Sequence, residues 1–497
     1  MPTSDDPDIY KLNGYLGILA KKLKTSVQLD MQEKLTLYTK AWGNAAPTEV
    51  EAFHKDNGYF WIPRFFFENC ISKRMVGKHP IKFEWANGAP QNLPLNAVLD
   101  SKRGQPLAVD RMVAHLQEHS GGILVAPTGC GKTILGYAIG QRLNTSIGVL
   151  VYAGHMVDNW IETAKWLFDL GDDDIGLVQR DRCDLGKPVT IMMVQSLLTE
   201  KQYPQELYDQ FGVIIADEVN RFGAPQWNEV MKLFPARYRV GMSADPKRDD
   251  GLDQLVQWHF GKIAHKVVMS RPKPDVIQLL YKKTYHQNSY SDVWKRTPSG
   301  DPMPNALKYD KLLVKDEARN EFIVDEMVKM RSKGRKILVF AKLKDHLKLL
   351  KAQFEQKWNV LDRMVIALED ESEELEFDAN ETKITLLVGG LEKRKKDKGK
   401  MAEAMAGDVI FCTYAFGRDA MNVPHIDTLI LASPAGKVLQ VIGRLRDKGP
   451  ADRRPLLAMD IYEDCGYSRR KAQRRADTYN QLGIKIIHAT RTPKPIE

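Results

Sequence analysis

The residues with the clearest chemistry lie in the stretch Ala126-Pro-Thr-Gly-Cys-Gly-Lys-Thr133. Glycines there let backbone N–H groups approach phosphate oxygens, Lys132 can reach β- and γ-phosphates, and the Thr133 hydroxyl can ligate Mg²⁺. Pro127, Thr128, Gly129, Cys130, Gly131, Lys132 and Thr133 therefore form a candidate nucleotide cradle, although Ala126 replaces the usual first glycine of the Walker A pattern. Asp217 and Glu218 close a short apolar run. Asp217 suits Mg²⁺ held through water, and Glu218 suits polarisation of an attacking water. A kinase needs no second acid at this place, whereas an ATPase that activates water does. The plainer alternative is that the two acids cap the next helix. Much later, Gln440-Val-Ile-Gly443-Arg444-Leu-Arg446 brings Gln440, Arg444 and Arg446. An arginine delivered from a second domain can stabilise charge developing on a γ-phosphate. Alone, such an arginine pair is usually a solvated helix face.

Holding these groups requires strands that end where the chemistry begins. Apolar runs predict strands near 122–125, 147–152, 189–194, 212–216 and 238–242, then near 336–340, 383–388, 408–412 and 427–431. Helical patterns between them make this an α/β chain of two parallel-sheet lobes, each gathering its polar groups at the carboxyl ends of its strands. The expected boundaries are an α+β accessory domain at 1–98, a first lobe at 99–272, an interlobe linker or insertion at 273–310, a second lobe at 311–467, and a basic helix and tail at 468–497. The turn-rich stretch 285–306 motivates the linker. In the accessory region the aromatic run 59–67 reads as a strand with a turn at Pro63, either as core or as a base-stacking surface.

A chain of 497 residues exceeds one compact domain. No apolar run reaches the roughly 18–20 residues of a membrane span, and the first residues lack a signal-peptide layout. Cys70, Cys130, Cys183, Cys412 and Cys465 form no CxxC pair, so neither a disulfide framework nor a zinc site is expected. The expectation is a soluble, intracellular protein that meets no membrane. Lys and Arg number 73 against 64 acids, a net +9, which suits a polyanionic partner. An acidic stretch at 369–381 precedes a basic one at 393–400; these are either solvated loops or, for the lysines, a phosphate contact. The basic stretch 469–475 reads as a helix, open between tracking a nucleic-acid backbone and forming a polar outer face.

Taken in order, these motifs resemble the superfamily 2 helicases, nearest the UvsW/XPB-like group of phage and poxviral branch-migration and DNA repair helicases. The resemblance spans roughly 100–465 and adds Arg103-Gly-Gln105, a motif Ia-like 149–153 followed by Asn159-Trp160, Val194-Gln195-Ser196, Gly241-Met-Ser243-Ala244-Asp-Pro246 with Arg248 and Gly251, 337–342 with His346, and 413–424. It implies two tandem RecA-like lobes, ATP and Mg²⁺ as cofactors, and adenine read by Gln105. It also implies nucleic-acid contacts through His155, Gln195, Ser196, Lys342 and Thr413. The implied activity is ATP-dependent unwinding or remodelling of branched, forked or duplex DNA, with other replication or recombination proteins as further partners. RNA stays open as the substrate. A translocase without strand separation and a nucleotide-gated binding scaffold are the alternatives. Asn220, Asp245, Asn422 and Asp447 depart from the family pattern and put the coupling of hydrolysis to movement in doubt.

Overall fold

A computed structural model of the chain describes residues 10–12, 14–40, 46–66, 85–127, 129–199, 203–224, 229–248, 250–268, 273–282, 294–296, 302–368, 382–388, 398–419, 423–434, 438–442, 445 and 455–491. The chain divides into two compact units, Met1–Ser270 and Arg271–Glu497. Every strand expected from the apolar runs is present, within about a residue or two at its ends.

In the first unit the large sheet has the spatial order Arg182–Cys183, Ile175–Gln179, Val189–Met193, Ile147–Val151, Val213–Asp217, Tyr238–Ser243, Gly121–Val125, Ile263–Lys266. All neighbours are parallel except the first pair. Ile147–Val151 and Val213–Asp217 are buried along their whole length. Strands covered on both faces read as continuous apolar runs, which is why they stand out in the sequence. The order sets Val213–Asp217, Tyr238–Ser243 and Gly121–Val125 side by side. Because they are parallel, their carboxyl ends open on one edge, and that edge carries the acid pair, Ser243 and the glycine-rich loop.

The amino-terminal region is an antiparallel sheet ordered Tyr10–Leu12, Tyr15–Leu19, Tyr59–Pro63, His54–Asp56, with the helix Thr25–Leu35. It has the expected α+β character, but the boundary at 98 needs correcting. Its core includes Leu252, Leu255 and Trp258 from the lobe, with Phe66 set edge-on to Trp258 at 5.1 Å. Arg239 is wholly buried and donates to the carbonyls of Gly14 at 2.5 Å, Phe234 at 2.9 Å, Met231 at 3.0 Å and His259 at 3.2 Å. Burial pulls its guanidinium down to about 9, still charged at neutral pH. One buried cation thus fastens the first strands to the lobe. Residues 85–98 also belong to the lobe: Ala86 bridges to Ala236, and Gln141 donates to the Leu93 carbonyl. The aromatic run is core as far as Phe66; Phe67 lies outside the described residues. Tyr59, Phe60, Trp61, Phe65 and Phe66 are buried, which removes them as a base-stacking surface.

The second unit holds an all-parallel sheet ordered Ile384–Leu387, Val409–Thr413, Ile337–Ala341, Thr428–Leu431, Leu457–Glu463, Asp275–Tyr281, Ile486–Arg491. Two expected boundaries are corrected here. The supposed linker 273–310 contributes Asp275–Tyr281, an interior strand, and begins the helix Ala306–Lys315. The supposed tail 468–497 supplies most of the helix Gly466–Gln481 and the edge strand Ile486–Arg491. Two fully buried ion pairs fix this end. Arg475 grips Asp460 through Nε at 2.9 Å and Nη2 at 2.7 Å, and Arg319 grips Glu463 through Nε and Nη2, each at 2.7 Å. Arg475 therefore faces the core, so the basic stretch is not a uniform outer face; Arg469, Arg470 and Arg474 are the exposed members of it. Among the described residues no helix is long and apolar enough to cross a membrane.

Candidate active site

The loop leaving Gly121–Val125 turns through two glycines in the left-handed region, Gly129 at φ 81° and Gly131 at φ 85°. Gly131 caps the helix Lys132–Arg142, and a Cβ there would also lie 2.6 Å from Gln105 Nε2. Only glycine meets both demands at no cost. The helix N-terminus with its free N–H groups is consequently aimed along the loop, which suits an anion. Ala126 is buried, and its N–H donates to the Ser243 carbonyl at 2.9 Å, so the absent first glycine costs the loop nothing. Cys130 N–H closes a turn onto the Pro127 carbonyl at 3.2 Å.

Lys132 forms an ion pair with Glu218, and their side chains are 14% and 16% exposed. Burial works against the Lys132 charge, but Glu218 and Asp217 outweigh it and hold the ammonium above the ordinary lysine range. Burial pushes the Asp217 carboxyl up, against the pull of Lys132, and the adjacent Glu218 charge adds to the rise. Glu218 has φ 51°, the left-handed region, and its N–H donates to Asp217 Oδ1 at 2.9 Å. A non-glycine residue held there stores strain of about 1–2 kcal/mol, a common mark of a functional position. Ser243 Oγ lies 2.9 Å from the Asp245 carbonyl and 3.4 Å from both Glu218 Oε2 and Asn220 Oδ1. Thr133 Oγ1 accepts from Asn159 Nδ2 at 2.9 Å, and Asp217 Oδ2 accepts from Trp160 Nε1 at 3.1 Å. Lys132, Thr133, Asp217 and Glu218 thus come together as their types suggest. The donor set Thr133 hydroxyl plus Asp217 carboxylate is hard oxygen, which fits Mg²⁺ sharing its remaining positions with phosphate and water.

Other site expectations fare differently. Gln105 does not face an open adenine pocket: it is buried, its Nε2 donates to the Cys130 carbonyl at 2.7 Å, and its Oε1 accepts from Asp100 N–H at 2.8 Å. It braces the loop from behind. Ser196 is buried and accepts from Arg180 N–H at 2.9 Å, so it is a structural group rather than a backbone contact. Gln195 is exposed, with its amide on the Tyr152 carbonyl at 2.7 Å, and His155 is half-buried in the first turn of the helix Gly154–Phe168. In the second unit Lys342 and Thr413 lie at the carboxyl ends of adjacent strands. Thr413 is buried, which withdraws it as a contact. Lys342 is half-buried, and its Nζ lies 3.0 Å from both Asp310 oxygens. Lys471 sits beside it, over the Tyr467 ring at 4.4 Å; burial first and Lys342 next draw its ammonium down to about 7. Thr128, Arg444, Arg446, Asn422, Asp447, the acidic stretch 369–381, residues 393–397 of the basic stretch and the Gln440 side chain lie outside the described residues.

Sequence reasoning quoted Asn159, Trp160 and Ser243 only as parts of motifs. A tryptophan on an amphipathic helix reads as core, and nothing local signals that its indole N–H meets a carboxylate 57 residues away.

Comparisons with known proteins cover the region that holds these residues. The family described as "Type III restriction enzyme, res subunit" matches residues 99–248, which hold the cradle, the acid pair and Ser243. A protein of Acanthamoeba polyphaga mimivirus, named a putative ATP-dependent RNA helicase, is 24% identical over 458 residues, 91% of this chain and 81% of its own. The Sulfurisphaera tokodaii protein named DNA 3'-5' translocase XPB2 is 27% identical over 175 residues, 35% of this chain and 38% of its own. Among solved structures, a fragment of a putative HsdR subunit of a Vibrio vulnificus type I restriction enzyme has a TM-score of 0.50 at 16% identity, covering 94% of this chain and 82% of that one.

Proposed function

Since this chain belongs to the superfamily 2 helicases, in the UvsW/XPB-like group, and is an ATP-dependent helicase of that type, we propose that it works on DNA, remodelling or unwinding branched or duplex substrates in recombination, replication or repair. The observation that carries the hydrolytic part is the meeting of Lys132, Glu218 and Asp217 at one sheet edge. Lys132 binds the β- and γ-phosphates once released from Glu218. Freed in the same step, Glu218 accepts the hydrogen bond of the attacking water and polarises it. Thr133 and Asp217 would hold magnesium, which would neutralise phosphate charge. Arg444 and Arg446 are the candidates for sensing the γ-phosphate.

His155, Gln195 and Lys342 are the proposed nucleic-acid contacts that remain after Ser196 and Thr413 are withdrawn. Contacts of this type meet phosphates and carry no base sequence, which suits movement along a strand. The choice of DNA draws support from the restriction-enzyme family match and the archaeal relative named a DNA translocase. An RNA substrate is the second reading, favoured by the name of the relative that matches 91% of this chain.

ATP hydrolysis measured with single-stranded, duplex and branched DNA and with RNA, beside Glu218→Gln as the inactive control, tests the proposal. Stimulation greatest on branched DNA supports junction remodelling. Stimulation by RNA alone replaces it with the second reading, and turnover indifferent to every nucleic acid refutes both.

A further inference from the structure

The helix Gly154–Phe168 turns two consecutive side chains onto the two residues assigned to magnesium. Asn159 Nδ2 donates to Thr133 Oγ1 at 2.9 Å, and Trp160 Nε1 donates to Asp217 Oδ2 at 3.1 Å. The consequences differ by atom. Asn159 occupies one lone pair of the Thr133 hydroxyl, which leaves the other lone pair and the proton to face elsewhere. Trp160 fixes Oδ2 of Asp217 while the Glu218 N–H fixes Oδ1 at 2.9 Å, so both ends of the carboxylate are aimed and each oxygen keeps acceptor capacity.

Trp160 is itself held rigidly. It is wholly buried, Tyr137 stands edge-on to it at 4.8 Å, and the Tyr137 hydroxyl donates to the Trp160 carbonyl at 2.8 Å. A Cβ on Gly136 would lie 2.8 Å from the indole, so the helix Lys132–Arg142 approaches this ring as closely as a glycine permits. The indole is therefore tied to the same helix that begins with Lys132 and Thr133.

We infer that Asn159 and Trp160 are paired positioning residues that orient the Thr133 and Asp217 oxygens for a divalent cation. Neither touches the cation; Asn159 sets the direction of the Thr133 hydroxyl, and Trp160 that of the carboxylate that would hold the cation through water. The inference rests on the proposed role of Thr133 and Asp217. Partners of metal ligands commonly matter about tenfold or more in metal affinity.

The test uses the full chain with ADP, Mn²⁺ as the metal probe, and free Mn²⁺ followed by its electron paramagnetic resonance signal. Trp160→Phe keeps an aromatic ring and deletes the donor; Asn159→Leu deletes the other donor at an exposed position with little to unfold. Each should weaken Mn²⁺ binding about tenfold while leaving metal-free ADP affinity, measured in chelator, unchanged. Thr133→Val and Asp217→Asn serve as controls. Mn²⁺ affinity within twofold of the parent in both Trp160→Phe and Asn159→Leu, with the controls impaired, overturns the positioning role. Controls that also bind Mn²⁺ normally overturn the metal assignment beneath it. Equal losses with and without metal would show that the pair merely supports the loop, and would overturn the inference as well.

Discussion

Replacing Glu218 by glutamine should stop hydrolysis and, at the same time, tighten the binding of ADP. Lys132 is paired with Glu218, and the two side chains are 14% and 16% exposed. Lys132 must leave that partner to reach a phosphate. In Glu218→Gln the Lys132 ammonium still donates a charge-assisted bond to the amide oxygen, so the saving on release is only the ion-pair attraction lost with the carboxylate charge, about 1 kcal/mol, or about fivefold in affinity. ADP is the informative ligand because it lacks the γ-phosphate, whose repulsion from a carboxylate would add a second reason for tighter ATP binding. Titration of a fluorescent ADP analogue into the parent, Glu218→Gln and Lys132→Gln measures the effect. Lys132→Gln should lose affinity, because nothing then reaches the phosphates. Loss of the water-polarising group should cost about 10²–10⁴ in turnover. ADP affinity in Glu218→Gln equal to the parent or weaker would refute the view that nucleotide binding competes with the ion pair.

Two further expectations concern stability. Arg239→Leu strips hydrogen bonds from the carbonyls of Gly14, Met231, Phe234 and His259, and relief of a buried charge offsets part of the loss. A net cost of about 3 kcal/mol in urea unfolding, with early proteolytic release of the amino-terminal strands, is expected; unchanged unfolding and digestion would count against the anchor. His346 is buried, and with Asn320 Nδ2 committed to the Val314 carbonyl at 2.9 Å, Asn320 Oδ1 accepts from His346 Nε2 at 2.9 Å. Burial, with Arg319 adding to it, lowers the imidazole to about 3. Below about pH 6.5 the unfolded chain takes a proton that the folded chain refuses until about 3, so stability is lost as pH falls through that window, by about 2 kcal/mol between pH 7 and 5. His346→Gln keeps a donor without the titration, and its stability should fall less over that range; parallel curves would refute the argument.

How much of this was legible depended on whether the partners lie near in sequence. The loop 126–133 and the strand Val213–Asp217 carry their meaning locally, as glycines before a helix and as an apolar run ending in two acids. Leu457–Glu463 hides better. Asp460 and Glu463 put two charges in a strand whose neighbours cover both sides, and local pattern argues against burial. The ions that make it tolerable, Arg475 and Arg319, lie outside the strand, the second far away in sequence. Asp275–Tyr281 reads as linker in the sequence for a related reason. It precedes a turn-rich stretch, yet its sheet partners Leu457–Glu463 and Ile486–Arg491 come near the end of the chain. Gln105, Ser196 and Thr413 show the same limit at single residues: motif position can nominate a side chain, but burial decides what it can touch.

The departures at Asn220 and Asp245 put in doubt the link between the ATP site and the segment after Tyr238–Ser243, and the geometry rebuilds that link from other atoms. The Ser243 hydroxyl has one proton and three acceptors in range: the Asp245 carbonyl at 2.9 Å, and Glu218 Oε2 and Asn220 Oδ1 at 3.4 Å. It favours the shortest, and Asp245 N–H donates back to it at 3.2 Å. The Asn220 amide oxygen is a longer, weaker acceptor for the same hydroxyl that lies near Glu218. Arg248 adds a second tie, donating to the Asn220 carbonyl and holding Asp250 through Nε at 2.9 Å. A shift of Glu218 when Lys132 departs would change which acceptor the Ser243 proton prefers. Asp245 contributes to that choice through its backbone, which any residue can supply, so the side-chain departure there need not loosen the coupling.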